Sequence, residues 1–283
     1  MDRELVSAGT LHVVATPLGN LGDLSDRAKD VLRAATLVAA EDTRRARVLL
    51  AHVGASPRVV SFHAHSPPSR LTSLVRTLEA GEDLVVLADA GTPTISDPGM
   101  SLVQRAREVG ANVVAVPGPS AVAAALSVSG LSADRFTFLG FLPRSGKDRR
   151  RFLDHAATST WTTVVFEAPG RLVTLLEDLS AVCTGDRLAA VAREMTKVHE
   201  EVRTGTLAEL AGYYRENAPR GEITVVVAGQ ARGAARPAVD EAEVRARAND
   251  LLAEGLSRRD AAYRLAQEFS MARREAYRIV TTL

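Results

Sequence analysis

Residues 87–99 read LADAGTPTISDPG, and these residue types at this density suit the holding of a polar ligand. An apolar run, Leu84 to Leu87, passes through Asp89 into a loop too rich in Gly, Pro, Ser and Thr for helix or regular strand. Gly91 and Gly99 permit positive φ, and Pro93 and Pro98 fix φ near proline's usual value of about −65°. Thr92, Thr94 and Ser96 set hydroxyls beside exposed backbone N–H groups. The loop is longer than the ~2–6 residues of ordinary strand-to-helix connections, so a ligand accounts for it better than a plain turn. Asp97, between Ser96 and Pro98, can also brace the loop through its own backbone. The chain has no G-x-G-x-x-G, G-x-x-x-x-G-K-[ST], G-x-S-x-G or H-E-x-x-H, which counts against nicotinamide, P-loop, hydrolase-elbow and zinc-protease chemistry.

Such a loop needs strands and helices to hold it, and the pattern supplies them. From Leu11 to Pro117, apolar strand-like runs (LHVVATP, TLVAAED, RVVSFH, DLVVLADAG, NVVAVPG) alternate with helical patterns at residues 26–35, 44–52, 69–80 and 100–109. Continuous β-branched runs between amphipathic helices predict a parallel sheet covered on both faces. Ser25 is placed as an N-cap, and Gly81 and Gly110 as helix stops. In such sheets ligands sit beyond the carboxyl ends of the strands, where TPLGN, EDTRR, SFHAH, DAGTP and VPGPS all fall.

PGPSAVAAALSVSG then predicts a turn, an N-cap at Ser120, a helix of small residues that packs closely, and a stop at Gly130. A second series follows: RFTFLGFLP, a basic helix over 147–157, TTVVFEAPG, a helix over 171–182, RLAAVAREMT, HEEVRTGT, a helix over 207–214 and GEITVVVAG. Two of its strands succeed one another without a helix, which predicts a mixed sheet. QARGAARPAVD has linker composition, and three helical segments (243–253, 258–268, 272–282) form a helix-turn-helix-like tail, with Ser257 and Ser270 as caps. The organisation expected is an α/β domain over residues 1–118, a second over 119–229, a linker over 230–240 and a helical unit over 241–283.

With 283 residues, 46% of them hydrophobic, the chain can bury a sizeable core. Its 35 basic and 34 acidic residues leave a charge of +1, so a nucleic-acid partner has to be met by local patches. PRSGKDRRR, residues 143–151, is the strongest of these, with five cations and one acid. From Leu256 onward six arginines face three acids. The single cysteine, Cys183, permits no internal disulfide and no thiol metal site, and reads as a buried filler. No apolar run reaches membrane-spanning length and MDRELVSAGT lacks a signal-peptide core, so a cytoplasmic location is expected.

Seven segments in order, VATPLGNLGDLSDRA, AAEDTRR, LADAGTPTISDPG, VPGPSA, FEAPGR, AREMTK and GEITVVVAG, resemble the tetrapyrrole methylase superfamily. More narrowly, they resemble its small-subunit ribosomal RNA 2′-O-methyltransferase I family. TPLGNLGD stands where cobalamin and sirohaem methylases carry a G-x-G-P-G-D type loop, which favours the RNA branch; TPLGN with EDTRR also argues against diphthine synthase. The resemblance implies two α/β domains with a cleft between them and a C-terminal helical extension. It implies S-adenosylmethionine folded in that cleft, a homodimer, and 2′-O-methylation of a cytidine in 16S rRNA near the decoding centre. Carried over, the cofactor contacts are Asp89, Ala90, Gly91, Pro93, Ser96, Asp97, Ser120, Ala121, Phe166, Glu167, Ala192, Gly221, Glu222 and Ile223.

Methyl transfer to a ribose hydroxyl needs an aligned oxygen and help in removing its proton. Glu41, Arg44 and Lys197 are the catalytic candidates, with Asp42, His63, His65 and Glu194 nearby in sequence; the base itself stays open. Arg44 and Arg45 stand at a helix start, where the dipole disfavours cations, and suit RNA phosphates together with His63, Lys147, Arg149 and Arg150. Two other readings are a precorrin-type methylase, which leaves the arginine cluster and the helical tail without purpose, and an RNA-binding assembly factor without catalysis.

Overall fold

The computed structural model describes residues 7–96, 99–230, 241–269, 271 and 273–282, with backbone alone at 241, 243, 273 and 274. They divide into two compact units, one ending at Gln230 and one formed by the C-terminal segment. Asp97, most of the expected linker (from residue 231) and the expected cap Ser270 lie outside the described residues.

The first unit begins with five strands, β1 (Thr10–Val14), β2 (Leu37–Ala40), β3 (Arg58–Ser61), β4 (Leu84–Leu87) and β5 (Asn112–Val116). Helices α1 (Asp26–Ala34), α2 (Thr43–His52), α3 (Pro68–Glu79) and α4 (Met100–Glu108) connect them. The sheet order is β3-β2-β4-β1-β5 and every pairing is parallel, as the alternation of apolar runs and helices predicts. Strand β4 shows why its run is apolar throughout. Val85 and Leu87 pack with Leu32 and Leu50 of α1 and α2, while Leu84 and Val86 pack with Leu78 and Leu102 of α3 and α4. The punctuation is local: Ser25 Oγ accepts from the Ala28 N–H at 3.2 Å, and Gly81 and Gly110 adopt φ of 83° and 76° after α3 and α4.

This strand order fixes where a ligand can sit. From β1 the chain runs to α1 on one face of the sheet, and from β4 it runs to α4 on the other, so a crevice opens between the carboxyl ends of these neighbouring strands. Across it, the Thr16 N–H donates to the Gly91 carbonyl at 2.8 Å and the Gly91 N–H donates to the Thr16 carbonyl at 3.0 Å.

The second sheet holds β6 (Phe136–Phe141), β7 (Thr162–Glu167), β8 (Leu188–Arg193), β9 (Glu201–Thr206) and β10 (Ile223–Val227) in the order β6-β7-β10-β8-β9. Only β6 and β7 pair in parallel, so the sheet is mixed. Helices α6 (Gly146–Thr158), α7 (Leu172–Cys183) and α8 (Leu207–Glu216) cover one face around Leu172, Leu176, Leu179, Leu210, Tyr214 and the buried Cys183. The alanine-rich α5 (Ala121–Val128) lies close on the other face, with Val122, Ala125 and Leu126 against Val164, Ala190 and Val226.

The C-terminal unit packs α9 (Glu241–Ala253), α10 (Arg258–Glu268) and α11 (Arg273–Thr281) around Val244, Leu251, Leu265 and Ile279. Ser257 caps α10, accepting from the Asp260 N–H at 3.2 Å. No described helix is long and apolar enough to cross a membrane.

One expectation is corrected here. Arg149 does not face outward for RNA, because residues 149, 153 and 156 lie along the inward stripe of α6. Arg149 is 8% exposed. Its Nε and Nη2 donate to Asp178 Oδ2 at 3.0 and 2.6 Å and its Nη1 to the Pro143 carbonyl, tying α6 to α7. Lys147 and Arg150 on the same helix are exposed. Arg149→Leu is therefore expected to lower stability by about 1–3 kcal/mol, whereas Lys147→Ala and Arg150→Ala stay within about 0.5 kcal/mol of the parent in urea unfolding.

Candidate active site

The loop after β4 is held in an uncommon backbone path. Gly91 takes φ of 77° in its pairing with Thr16, and Thr94 and Ser96, which carry side chains, take 76° and 62°. Such conformations are costly outside glycine and are retained where the surroundings dictate them. The Thr92 hydroxyl donates to the Pro119 carbonyl at 3.2 Å, joining this loop to the turn before α5. Gly118 fits there because a Cβ would come 3.0 Å from the Ala15 Cβ at the end of β1.

Between this loop and the second sheet lies a cavity of about 370 Å³. Asp89, Ala90, Gly91, Ser96, Ser120 and Ala121 line it from one side, and Phe166, Glu167, Gly221, Glu222 and Ile223 from the other. Those residues come together around one cavity. Two others do not: Pro93 is buried away from the wall, and Ala192 faces α5 within the core. Thr92, whose hydroxyl the loop's composition offers to a ligand, lines it too, and Leu18, Ile95, Val122, Phe141, Met195 and Thr224 also line the cavity and were not anticipated. Phe141 had a legible signal. Gly140, with φ of 64°, breaks the β6–β7 register after Phe138, and a glycine inside a strand pattern marks such a bulge. Phe141 then packs against Phe166 at a centroid distance of 5.5 Å.

The cavity's charge is one-sided. Among the described residues its wall carries three carboxylates, Asp89, Glu167 and Glu222, and no cation. Each carboxylate has its cation off that wall: Arg45 at 3.6 Å from Asp89, Arg171 at 3.2 Å from Glu167 and Lys197 at 3.2 Å from Glu222. Glu167 is 1% exposed and accepts from the Ala168 N–H at 2.9 Å.

A second cavity, also of about 370 Å³, adjoins the first and shares Leu18, Asp89, Ala90 and Glu222 with it. Its remaining wall comes from Thr16, Pro17, Gly19 and Leu21 after β1, from Arg45, Ala46, Val48 and Leu49 of α2, from Leu87 and Ala88, and from Lys197. Lys197 reaches it from the second sheet. Its Nζ donates to Glu194 Oε1 at 2.9 Å and Glu222 Oε2 at 3.2 Å, and its stem crosses Gly19, where a Cβ would stand 2.3 Å from the Lys197 Cγ. The Asn20 N–H donates to the Thr196 hydroxyl at 3.1 Å, closing the same contact. Gly221, with φ of 80°, leaves room for Glu194, whose Oε1 a Cβ there would meet at 1.9 Å. Burial pulls the Lys197 ammonium down, but the Glu194 hydrogen bond and the Glu222 charge outweigh it and hold the group above its ordinary value. Lys197 is thus a charged donor and not a base near neutral pH.

The other candidates stand nearby without reaching either wall. Burial and the Asp89 charge push the half-buried Glu41 carboxyl up, yet it lines neither cavity. Arg44 doubles back on its own helix cap, with Nε and Nη2 at 3.1 and 2.7 Å from the Asp42 carboxylate, which those bonds hold well below the usual range. His63 Nδ1 accepts from the His65 N–H at 3.1 Å. Asp89 Oδ1 accepts from the Asp42 N–H at 2.9 Å, which fixes the carboxylate between the two cavities.

A sequence model of the family Tetrapyrrole (Corrin/Porphyrin) Methylases matches residues 10–211. A protein named ribosomal RNA small subunit methyltransferase I from Synechocystis sp. is 41% identical, over 96% of this chain and 97% of that one. A protein of the same name from Xylella fastidiosa is 49% identical, over 79% and 82%. Among solved structures, cobalt precorrin-4 methyltransferase matches with a TM-score of 0.60 at 17% identity, over 77% of this chain and 94% of that one. Diphthine synthase matches with 0.60 at 17%, over 77% and 89%. The two structures share the fold of this chain. On the family match and the close relatives together, the chain belongs to the tetrapyrrole methylases and, among them, to the ribosomal RNA small subunit methyltransferase I family.

Proposed function

We propose that the chain methylates the 2′-hydroxyl of a cytidine in 16S rRNA, near the decoding centre, with S-adenosylmethionine as methyl donor. The observation that carries the reading is the first cavity, whose wall holds three carboxylates and no cation among the described residues. A ligand with a positive sulfonium and an amino group suits that wall. The backbone N–H groups at the start of α5, beside Ser120 and Ala121, suit its carboxylate, and Phe166, Ile223, Leu18 and Met195 suit its base. When bound, the donor supplies the electrophilic methyl group.

The protein's part is to align the acceptor oxygen and manage its charge. Lys197, held by Glu194 and Glu222 beside the wall the two cavities share, offers a fixed ammonium to an oxygen losing its proton. Glu222 and Asp89 are the carboxylates within that wall that can take the proton. Arg45 meets RNA phosphate at the second cavity, and exposed Lys147 and Arg150 meet it on α6, a basic face that a precorrin substrate would leave unused. Assembly as a homodimer and a cytoplasmic location form part of the same proposal.

Purified small subunits lacking the modification, incubated with the chain and labelled S-adenosylmethionine, are expected to gain label at one cytidine ribose; label on a base or on protein would reject the reading. Lys197→Met is expected to slow transfer by about 10²-fold or more, with donor affinity in calorimetry unchanged within a few-fold. Neutralising Lys147 and Arg150 together is expected to lower the slope of log affinity for rRNA against log salt by roughly 1.5–2, measured by filter binding from low to high salt.

A further inference from the structure

Phe141 lines the first cavity while 57% exposed, and the backbone around it is arranged to hold it there. Along a regular strand it would follow Leu139 onto the face of the second sheet that α6, α7 and α8 cover, since alternate residues share a face. The bulge at Gly140 turns it back. A step of three residues on β6, Phe138 to Phe141, matches a step of two on β7, Val164 to Phe166, so Phe138 and Phe141 both meet Phe166, at centroid distances of 4.8 and 5.5 Å. Gly140 also abuts the loop after β4, where a Cβ would come 3.0 Å from the Ser96 Oγ.

The two residues that follow are pinned by arginines. The Leu142 carbonyl accepts from Arg171 Nη2 at 2.8 Å, and the Pro143 carbonyl accepts from Arg149 Nη1 at 3.0 Å. Arg171 stands at the start of α7, where the helix dipole disfavours a cation. Its compensation is Glu167, whose buried Oε2 lies 3.2 Å from Arg171 Nη2 and has no hydrogen bond among the described residues. One guanidinium therefore ties the end of β6, which carries Phe141, to the end of β7, which carries Phe166. An apolar ring this exposed is disfavoured in water, and a flat ring laid on it removes that surface from solvent.

We infer that Phe141 stacks on the adenine of the methyl donor, and that Arg171 is the positioning residue that holds Phe141 in place. This rests on the proposed transfer from S-adenosylmethionine and names the part of the cavity that the donor's base takes. Adenine is the one aromatic part of that donor, and Phe141 and Phe166 are the aromatic rings on the wall among the described residues. A nucleobase of RNA suits the same rings less well, because its phosphates would enter beside Asp89, Glu167 and Glu222 with no cation on that wall.

Phe141→Trp gives the direct readout, because the chain's single tryptophan, Trp161, lines neither cavity. S-adenosylmethionine and methylthioadenosine, which keeps the adenosine and lacks the amino acid and the charge, are each expected to quench emission from the introduced indole. Methionine alone is expected to leave it unchanged. In calorimetry, Phe141→Ala is expected to raise the donor Kd by about tenfold or more, with KM for small subunits as in the parent. Arg171→Met is expected to raise the donor Kd several-fold, Arg171→Lys to restore most of the affinity, and Arg171→Met added to Phe141→Ala to cost less than about twofold more. Phe136→Ala, at the other end of β6 and away from both cavities, is expected to change neither value. The inference is overturned by any of three results: no quenching by methylthioadenosine in a Phe141→Trp chain that still binds the donor, quenching by an rRNA fragment alone, or independent losses from Phe141→Ala and Arg171→Met. A parent chain that binds no S-adenosylmethionine would instead overturn the reading on which it rests.

Discussion

The pair of backbone hydrogen bonds between Thr16 and Gly91 determines the site. It stitches the loop after β1 to the loop after β4 at the point where the chain leaves the sheet toward opposite faces. Leu18 and Gly19 follow from one side of that stitch and Asp89 and Ala90 precede it on the other, and these residues make or border the wall between the two cavities. Gly91 is needed there because the pairing sets φ at 77°, which a residue with a side chain adopts only under strain.

The second sheet completes the site through one bracket. Glu194, Lys197 and Glu222 come from the ends of β8 and β10, and the paired carboxylates keep the lysine charged and aimed at the loop after β1. Two glycines make that bracket possible, Gly19 under the lysine stem and Gly221 beside Glu194. The residues of the bracket are separated from their targets by more than 170 positions in the chain, so their meeting is a property of the fold and not of any local motif. Charge is divided accordingly. Among the described residues the charged groups on the first cavity's wall are all carboxylates, whereas the second sets Arg45 and Lys197 beside Asp89 and Glu222.

What could be read from the sequence follows the range of the physics involved. The parallel sheet, the caps at Ser25, Ser120 and Ser257, and the stops at Gly81 and Gly110 depend on neighbours a few residues away, and they form as expected. The loop DAGTPTIS also declared itself by its composition. Arg149 did not, because PRSGKDRRR looks uniformly solvated until the helix phase turns that one arginine inward onto Asp178. Pro93 and Ala192 sit inside motifs that reach the cavity, yet burial turns each away from its wall. Leu18, Ile95 and Met195 escaped notice for a different reason: they are apolar residues on irregular loops, where no periodicity announces a buried or ligand-facing side chain.

The central claim is that the donor occupies the first cavity and that the acceptor oxygen meets Lys197 at the wall of Leu18, Asp89, Ala90 and Glu222. The most direct measurement is a crystal structure of the chain with S-adenosylhomocysteine and a fragment of the rRNA it methylates. The account predicts the thioether sulfur in the carboxylate-lined cavity, pointing at that wall, with a ribose 2′-oxygen on the other side of it beside Lys197. Electron density for the donor analogue in the α2 cavity, or for RNA with its 2′-oxygens remote from Lys197, would contradict it.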